Sequence, residues 1–500
     1  MTRNLKMIFH ALLSITLLLI FLIIPGHASA QNTSNEIKKR GYILWGGDAE
    51  GGAPYVFPDP KEPSRLIGFE VDLAKAIASE LGVKEKFYQN DWDNLVPALN
   101  RGNFDIILNG LEITSLRKKA IDFSRPYYIY SEQLMVRNNE KRIKDIKDLC
   151  GKRVGTLQAS VAMEILSGLK DVNILNYKGV VEPYQDLSNG RLDAVFLDLP
   201  IAAFYGKPNP KLKYAGEAVG EGYYAIGVKK GERDLLLALN QALENLIAAG
   251  ELKNIYEKWG LWNELQEKLP ILKDESLVTD FSNKTKPGSL AKYIPILLKG
   301  AGVTVIISFL SMALAMSVGA VICILRLYAG KVLSLLATAY IEIIRGTPVL
   351  IQLYLIYYGL PNVGIRLDAF SAAVLGLGLN YAAYEAEIYR AGLQSIPKVQ
   401  MEAALSLGMS RVLAIRRIIA PQAVRIVIPP VTNDFIALFK DTSLVSIITV
   451  VELTKAYNIL AVSSLKFLEL GTLTAILYFS MSYPLSLFAR FMERRIKHGD

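Results

Sequence analysis

EAALSLGMSRVLAIRRIIAP, residues Glu402–Pro421, places Arg411, Arg416 and Arg417 in the middle of an apolar half-chain. Charge of that density is stable only in water, so this stretch reads as an aqueous loop between buried segments. Five apolar runs surround it, at about 301–325, 333–360, 370–388, 426–451 and 467–488. Each is close to the ~20 residues that a helix needs to cross a bilayer. From residue 290 onward there are 19 Lys/Arg against 11 Asp/Glu, so this half holds nearly all of the net charge of +9. The basic residues fall on alternate loops: Arg326 and Lys331, then Lys398, Arg411, Arg416, Arg417 and Arg425, then Arg490, Arg494, Arg495 and Lys497. The bias of cytoplasmic loops toward Lys and Arg predicts that these loops and the C-terminus lie inside. A basic excess spent on topology argues against nucleic acid as a partner.

The N-terminal 30 residues predict an export signal. Arg3 and Lys6 precede an apolar stretch at 8–24, and Ala28-Ser29-Ala30 forms an A-x-A cleavage site. An uncleaved anchor would export the next domain equally. Residues 31–268 alternate strand-like YILWGG and FDIILNG with helix-like FEVDLAKAIASELG and RDLLLALNQALENLIAAG. Such alternation predicts α/β layers, and no 18-residue apolar run interrupts it. The sequence LPILKDESLVTDFSNKTKPGSLAKYI, 269–294, is polar and marked by Pro and Gly, as a linker is. Residues 295–500 then form an all-α membrane domain of about five spans. Cys150 and Cys323 fall in different halves, which excludes a disulfide within the soluble half. His10, His27 and His498 fall in the leader and the tail, so no histidine-based metal or catalytic centre and no cofactor is expected.

Within the quoted stretch, Glu402-Ala403-Ala404, Gly408, Ile418 and Ala420-Pro421 resemble the EAA loop of ABC importer permeases. Ala420 departs from the usual Leu. The resemblance implies that Glu402, Ala403, Ala404 and Gly408 belong to a coupling helix that docks a separate ATPase. The segments Tyr340–Pro361, Tyr381–Ile396 and Phe439–Ile448 resemble the histidine/glutamine-type polar amino acid permeases. Pro348 should break its helix. Glu342, Glu385, Glu387, Asp434, Lys440 and Asp441 fall near membrane depth, where ionisable groups line a pathway or pair with neighbours, as Glu387 and Arg390 are spaced to do. The chain has no G-x-x-x-x-G-K-[ST], so ATP hydrolysis falls to that separate subunit. Five spans are few for a pathway, which implies a second permease subunit, most simply a homodimer.

The segments Ile67–Gly82, Asp91–Tyr128, Gly151–Leu166, Leu187–Ala202 and Leu243–Gly260 resemble type-3 solute-binding proteins, receptors for polar amino acids. This implies two α/β lobes joined by two crossovers that close like a clamshell. It also implies a site. Arg117 would hold the α-carboxylate, with Gly110 and Glu112 on the loop before it. Ser160, preceded by Gln158, would present donors from a helix N-terminus. Asp198 would meet the ammonium, Trp92 would wall the side chain, and Tyr55 or Phe57 would face it. Glu112 stands where relatives carry Thr or Ser. It either favours a cationic side chain or doubles the ammonium contact. The whole chain then reads as the receptor-permease subunit of an ATP-driven importer in a bacterial cytoplasmic membrane. A ligand-gated channel on the same receptor fold needs spans inserted within the receptor and a filter such as TVGYG. A sensor needs a cytoplasmic signalling domain. Neither pattern is present in the sequence.

Overall fold

The computed structural model describes residues 33–50, 52–272, 277–278 and 290–497, with the side chains of the last helix described to Phe491. The export signal, most of the linker and residues 498–500 lie outside the described residues.

The soluble half runs α1 (Thr33–Arg40), β1 (Tyr42–Gly47), α2 (Phe69–Glu80), β2 (Lys84–Gln89), α3 (Leu95–Arg101), β3 (Ile106–Ile107), α4 (Ser115–Ala120) and β4 (Ile121–Arg137). It continues with β5 (Arg153–Leu157), α5 (Val161–Ser167), β6 (Asn173–Tyr177), α6 (Val181–Ser188), β7 (Ala194–Asp198), β8 (Val219–Lys229), α7 (Arg233–Ala248) and α8 (Glu251–Lys258). The main sheet has the order β2-β1-β3-β8-β4-β7-β5-β6. The outer trios β2-β1-β3 and β7-β5-β6 are parallel, as βαβ connections require. Between them the long β4 and β8 pair antiparallel from Ile121↔Lys229 to Glu132↔Val219. Each therefore belongs to both lobes: β8 meets β3 at one end and β4 meets β7 at the other. These are the two crossovers. Register shifts at Tyr224/Ala225 and Ala225/Gly227 bend the ribbon between the lobes.

The helices cover the sheet with apolar stripes. On α7, Leu235, Leu239, Leu243 and Leu246 recur at helical spacing and are buried. Each contributes roughly 1.5–3 kcal/mol on burial.

The membrane half comprises α9 (Ile294–Tyr328), α10 (Lys331–Arg345), α11 (Val349–Tyr354), α12 (Ala369–Gln394), α13 (Lys398–Ser406), α14 (Arg411–Ala414), α15 (Ala420–Asp441), α16 (Leu453–Ser464) and α17 (Phe467–Lys497). Close packing of α9 on α12 depends on small residues. A Cβ on Gly319 would lie 2.7 Å from the Glu385 Cβ and 2.9 Å from the Ala382 carbonyl. Among the described residues, two helices are long and apolar enough to cross a membrane, Leu290–Tyr328 and Phe467–Phe491. The pair Lys331–Arg345 and Val349–Val363 makes a third if counted as one span bent by 106°. That bend falls at Gly346-Thr347-Pro348, where the proline predicts a helix break. Gln352 repairs it, its Nε2 donating to the Ile344 carbonyl and to Thr347 Oγ1, both at 2.8 Å. Helix α12 covers the apolar run at 370–388, and α15 covers only the first part of the run at 426–451; they have 26 and 22 residues. They carry Glu385, Glu387 and Arg390, and Arg425, Asp434, Lys440 and Asp441, which lowers their apolarity. Glu387 pairs with Arg390 and also with Arg326 of α9.

Candidate functional site

The parallel strands of both lobes end on the same seam, and chain that leaves the carboxyl end of a strand is the usual place for a ligand. Asp48 follows β1, Asn109 and Gly110 follow β3, Ser160 follows β5, Lys178 follows β6, and Asp198 ends β7. With Trp92, Glu112 and Tyr55 they line one cavity of about 430 Å³ between the lobes. Trp92, Gly110, Glu112, Ser160 and Asp198 are the residues that the sequence motifs point to. Tyr55 supplies the opposite wall, whereas Phe57 packs against Phe204 and Trp259.

Gly110 needs to be glycine twice over. Its φ is +58°, and a Cβ there would lie 2.8 Å from the Tyr55 ring. Its amide donates inward to Glu70 Oε1 at 2.6 Å. Burial pushes the Glu70 carboxyl up to about 8, with partial relief from the Tyr127 hydroxyl and that amide. Ser160 caps α5: its Oγ accepts from the Met163 amide at 3.2 Å and donates to the Leu157 carbonyl at 2.8 Å.

Arg117 is placed one layer behind the cavity. Its guanidinium bonds the Glu112 carboxylate, the Glu112 carbonyl at 3.0 Å and the Ala159 carbonyl of the second lobe at 3.1 Å. It also stacks 5.2 Å from the Trp92 ring. The other Glu112 oxygen accepts from the Val161 amide at the start of α5, at 3.2 Å. Glu112 thus takes the two kinds of donor, guanidinium and helix-terminal amide, that suit an α-carboxylate. Trp92 Nε1 adds a third cross-lobe bond, to the Gln158 carbonyl at 3.2 Å.

On the other side of the cavity, Asp198 and Glu132 are paired residues of β7 and β4 and are both buried. Burial, reinforced by the Glu112 charge, pushes Asp198 up to about 7, and the Tyr224 hydroxyl that donates to it acts the other way. Burial and then the Asp198 charge hold Glu132 well above the usual carboxylate range. Near neutral pH the pair therefore retains a proton. Tyr224 is fixed by stacking on Tyr130, 4.4 Å between ring centres. Lys178 and Asp48 carry no motif, and only their place after the carboxyl end of a strand marks them as lining residues.

Two further features lie in the membrane half. Arg345, Thr347, Tyr381, Tyr384, Asp434 and Asp441 line an open cavity of about 940 Å³ beside the break at Pro348. Tyr381 donates to Asp441 Oδ2 at 2.7 Å. The EAA stretch folds as an elbow. Helix α13 ends at Ser406, Gly408 turns with φ +81°, and the Ser410 hydroxyl caps α14 through the Leu413 amide at 3.3 Å. Ala404 is buried, while Leu407 and Val412 are 83% and 75% exposed. An apolar surface so bare suits a partner.

A clamshell receptor with a polar cleft, joined on one chain to a helical membrane domain, defines a transport receptor carrying its own permease. Residues 46–261 match the bacterial extracellular solute-binding proteins, family 3, and residues 311–498 match the binding-protein-dependent transport system inner membrane component. The membrane half is 38% identical over 204 residues to the probable amino-acid ABC transporter permease protein YckA of Bacillus subtilis, covering 41% of this chain and 90% of the relative. The receptor half is 35% identical over 228 residues to the L-cystine-binding protein TcyJ of Escherichia coli, covering 45% of this chain and 85% of the relative. Among solved structures, holo ArgBP from T. maritima is 33% identical, with a TM-score of 0.41 over 45% of this chain and 99% of its own. The chain belongs to both families, as a fusion of solute-binding protein and ABC permease.

Proposed function

We propose that this protein is the receptor-permease subunit of an ABC importer that captures a polar amino acid outside the cell and passes it through its own membrane domain. The observation that carries this reading is the fusion itself, in which a cleft lined by acids and a lysine, with Arg117 behind it, belongs to the same chain as an EAA elbow. The binding set is Trp92, Gly110, Glu112, Arg117, Ser160 and Asp198. Arg117 serves the carboxylate after exchanging partners with Glu112, and Asp198 serves the ammonium. The parts are a signal peptide at 1–30, a receptor at 31–268 outside the cytoplasm, a linker at 269–294, and a membrane domain at 295–500 with about five crossings and a cytoplasmic C-terminus. A separate ATPase docks on Glu402, Ala403, Ala404 and Gly408, where Leu407 and Val412 offer apolar contact. A second copy of the chain completes the pathway, and the cavity at Arg345, Asp434 and Asp441 lies on it. No cofactor takes part.

Calorimetric titration of residues 31–268 with the twenty common amino acids tests this. That fragment is a unit in its own right, because the receptor half aligns with 85% of the relative TcyJ. Binding of one or a few amino acids, weakened at least about a hundredfold by Arg117→Ala, is expected from losing a charge-assisted pair. Binding that survives Arg117→Ala unchanged would remove Arg117 from the site, and binding of none would reject the amino acid cargo.

A further inference from the structure

The two lobes of the receptor rest on two different elements of the membrane domain. Lobe one meets the end of α16: Leu465 packs against the cluster that contains Leu95 and Val96. Lobe two meets the turn after α11. Tyr357 donates from its hydroxyl to Asp186 Oδ2 at 2.8 Å, and Arg191 lies 3.9 Å over the Tyr357 ring while bonding Asp186 at 2.9 Å. Between these footings stands Lys455, on the first turn of α16 and only 1% exposed. Its Nζ donates to Gln158 Oε1 at 2.7 Å. Gln158 belongs to lobe two, and its own amide nitrogen donates to the Asp93 carboxylate of lobe one. The other oxygen of Asp93 is buried without a hydrogen-bond partner. Acids and a base surround the ammonium from both halves: Asp93, Glu182 and Lys178 of the receptor and Glu452, which caps α16.

We propose that Lys455 is the positioning residue through which the membrane domain reads closure of the receptor. A buried ammonium is stable only against a partner, and a buried cation stripped of one is strongly destabilising. The Gln158–Asp93 bridge that receives Lys455 exists only while the lobes are together. The Lys455 contact therefore favours the closed receptor, and opening becomes favourable when Lys455 withdraws. The Tyr357 footing touches one lobe and is indifferent to closure. This rests on the receptor-permease reading but on no particular cargo.

The test uses the full chain in lipid nanodiscs, with Cys150→Ser and Cys323→Ala and nitroxide labels at Lys75→Cys on α2 and Lys170→Cys beyond α5, both exposed positions. Pulsed electron paramagnetic resonance reports the distance between the lobes, with and without an equimolar mixture of the common L-amino acids. Lys455→Ala should lower the ratio of the short-distance to the long-distance population about tenfold, as expected for a lost hydrogen bond to a charged group. Lys455→Arg should restore most of it, which separates loss of the contact from misfolding, and Tyr357→Phe should leave it unchanged. An unchanged ratio in Lys455→Ala under both conditions, or an equal fall in Tyr357→Phe, would overturn the proposal. A mixture that moves neither distribution would count against the amino acid cargo and not against Lys455.

Discussion

Glu112 holds the Arg117 guanidinium and the Val161 amide, so a ligand carboxylate must compete with a side chain for both. Glu112→Thr removes the competitor. Calorimetry of the variant should show a neutral amino acid binding about tenfold more tightly or better, on the scale of a charge-assisted hydrogen bond. Tighter binding in the wild type, selective for cationic side chains, would instead make Glu112 a contact to the ligand. Asp198 makes a second prediction. Its carboxyl is raised to about 7 in the ligand-free cleft, and an ammonium placed against it favours the charged form. Binding should therefore release protons near neutral pH and weaken as pH falls below 7. Titrations in buffers of different ionisation heat read this directly, and heats independent of buffer would place the ammonium elsewhere. Trp92, Gly110, Glu112, Ser160 and Asp198 were legible because local motifs hold them at the cavity. Arg117 was legible as a residue but not its engagement with Glu112 and Ala159, which depends on how the lobes meet. Asp48 and Lys178 were not legible because they lie outside the matched segments, and Asn109 was passed over although it precedes Gly110 inside one. Each nevertheless follows the carboxyl end of a strand, and that rule could have found them.

The EAA elbow is an element whose shape was written in the sequence. A Cβ on Gly408 would meet open space, with no atom within 4 Å, so its backbone conformation alone demands glycine. Gly408→Ala should cost about 1–2 kcal/mol at the elbow. It should reduce ATP hydrolysis coupled to the ligand while leaving ligand affinity unchanged, and a loss of affinity instead would show that the damage reaches the receptor. The break at Pro348 was equally legible, because a proline in a helix interior removes a backbone hydrogen bond and clashes with the preceding turn. Its 106° angle was not, since that depends on Gln352 capturing the freed oxygens from eight residues away. The apolar runs located all five long helical stretches. They did not show how many cross the bilayer, because α12 and α15 mix apolar faces with charges whose partners come from other helices.

At the scale of the molecule, the division into an α/β receptor and a helical permease followed from hydropathy and strand–helix alternation. The crossovers followed from the resemblance, and β4 and β8 provide them. The docking of one half on the other was not legible: Lys455 and Gln158 are 297 residues apart, and no local pattern encodes such a contact. In the proposed importer, one chain both captures an amino acid and couples it to ATP. The most direct measurement is ATP hydrolysis by the full chain reconstituted in proteoliposomes with an amino-acid-type ABC ATPase, with and without the amino acid that the receptor binds. Hydrolysis should rise several-fold with the ligand and lose that rise in Arg117→Ala, while uptake follows the same pattern. Ligand binding that leaves both hydrolysis and uptake unchanged would contradict an importer.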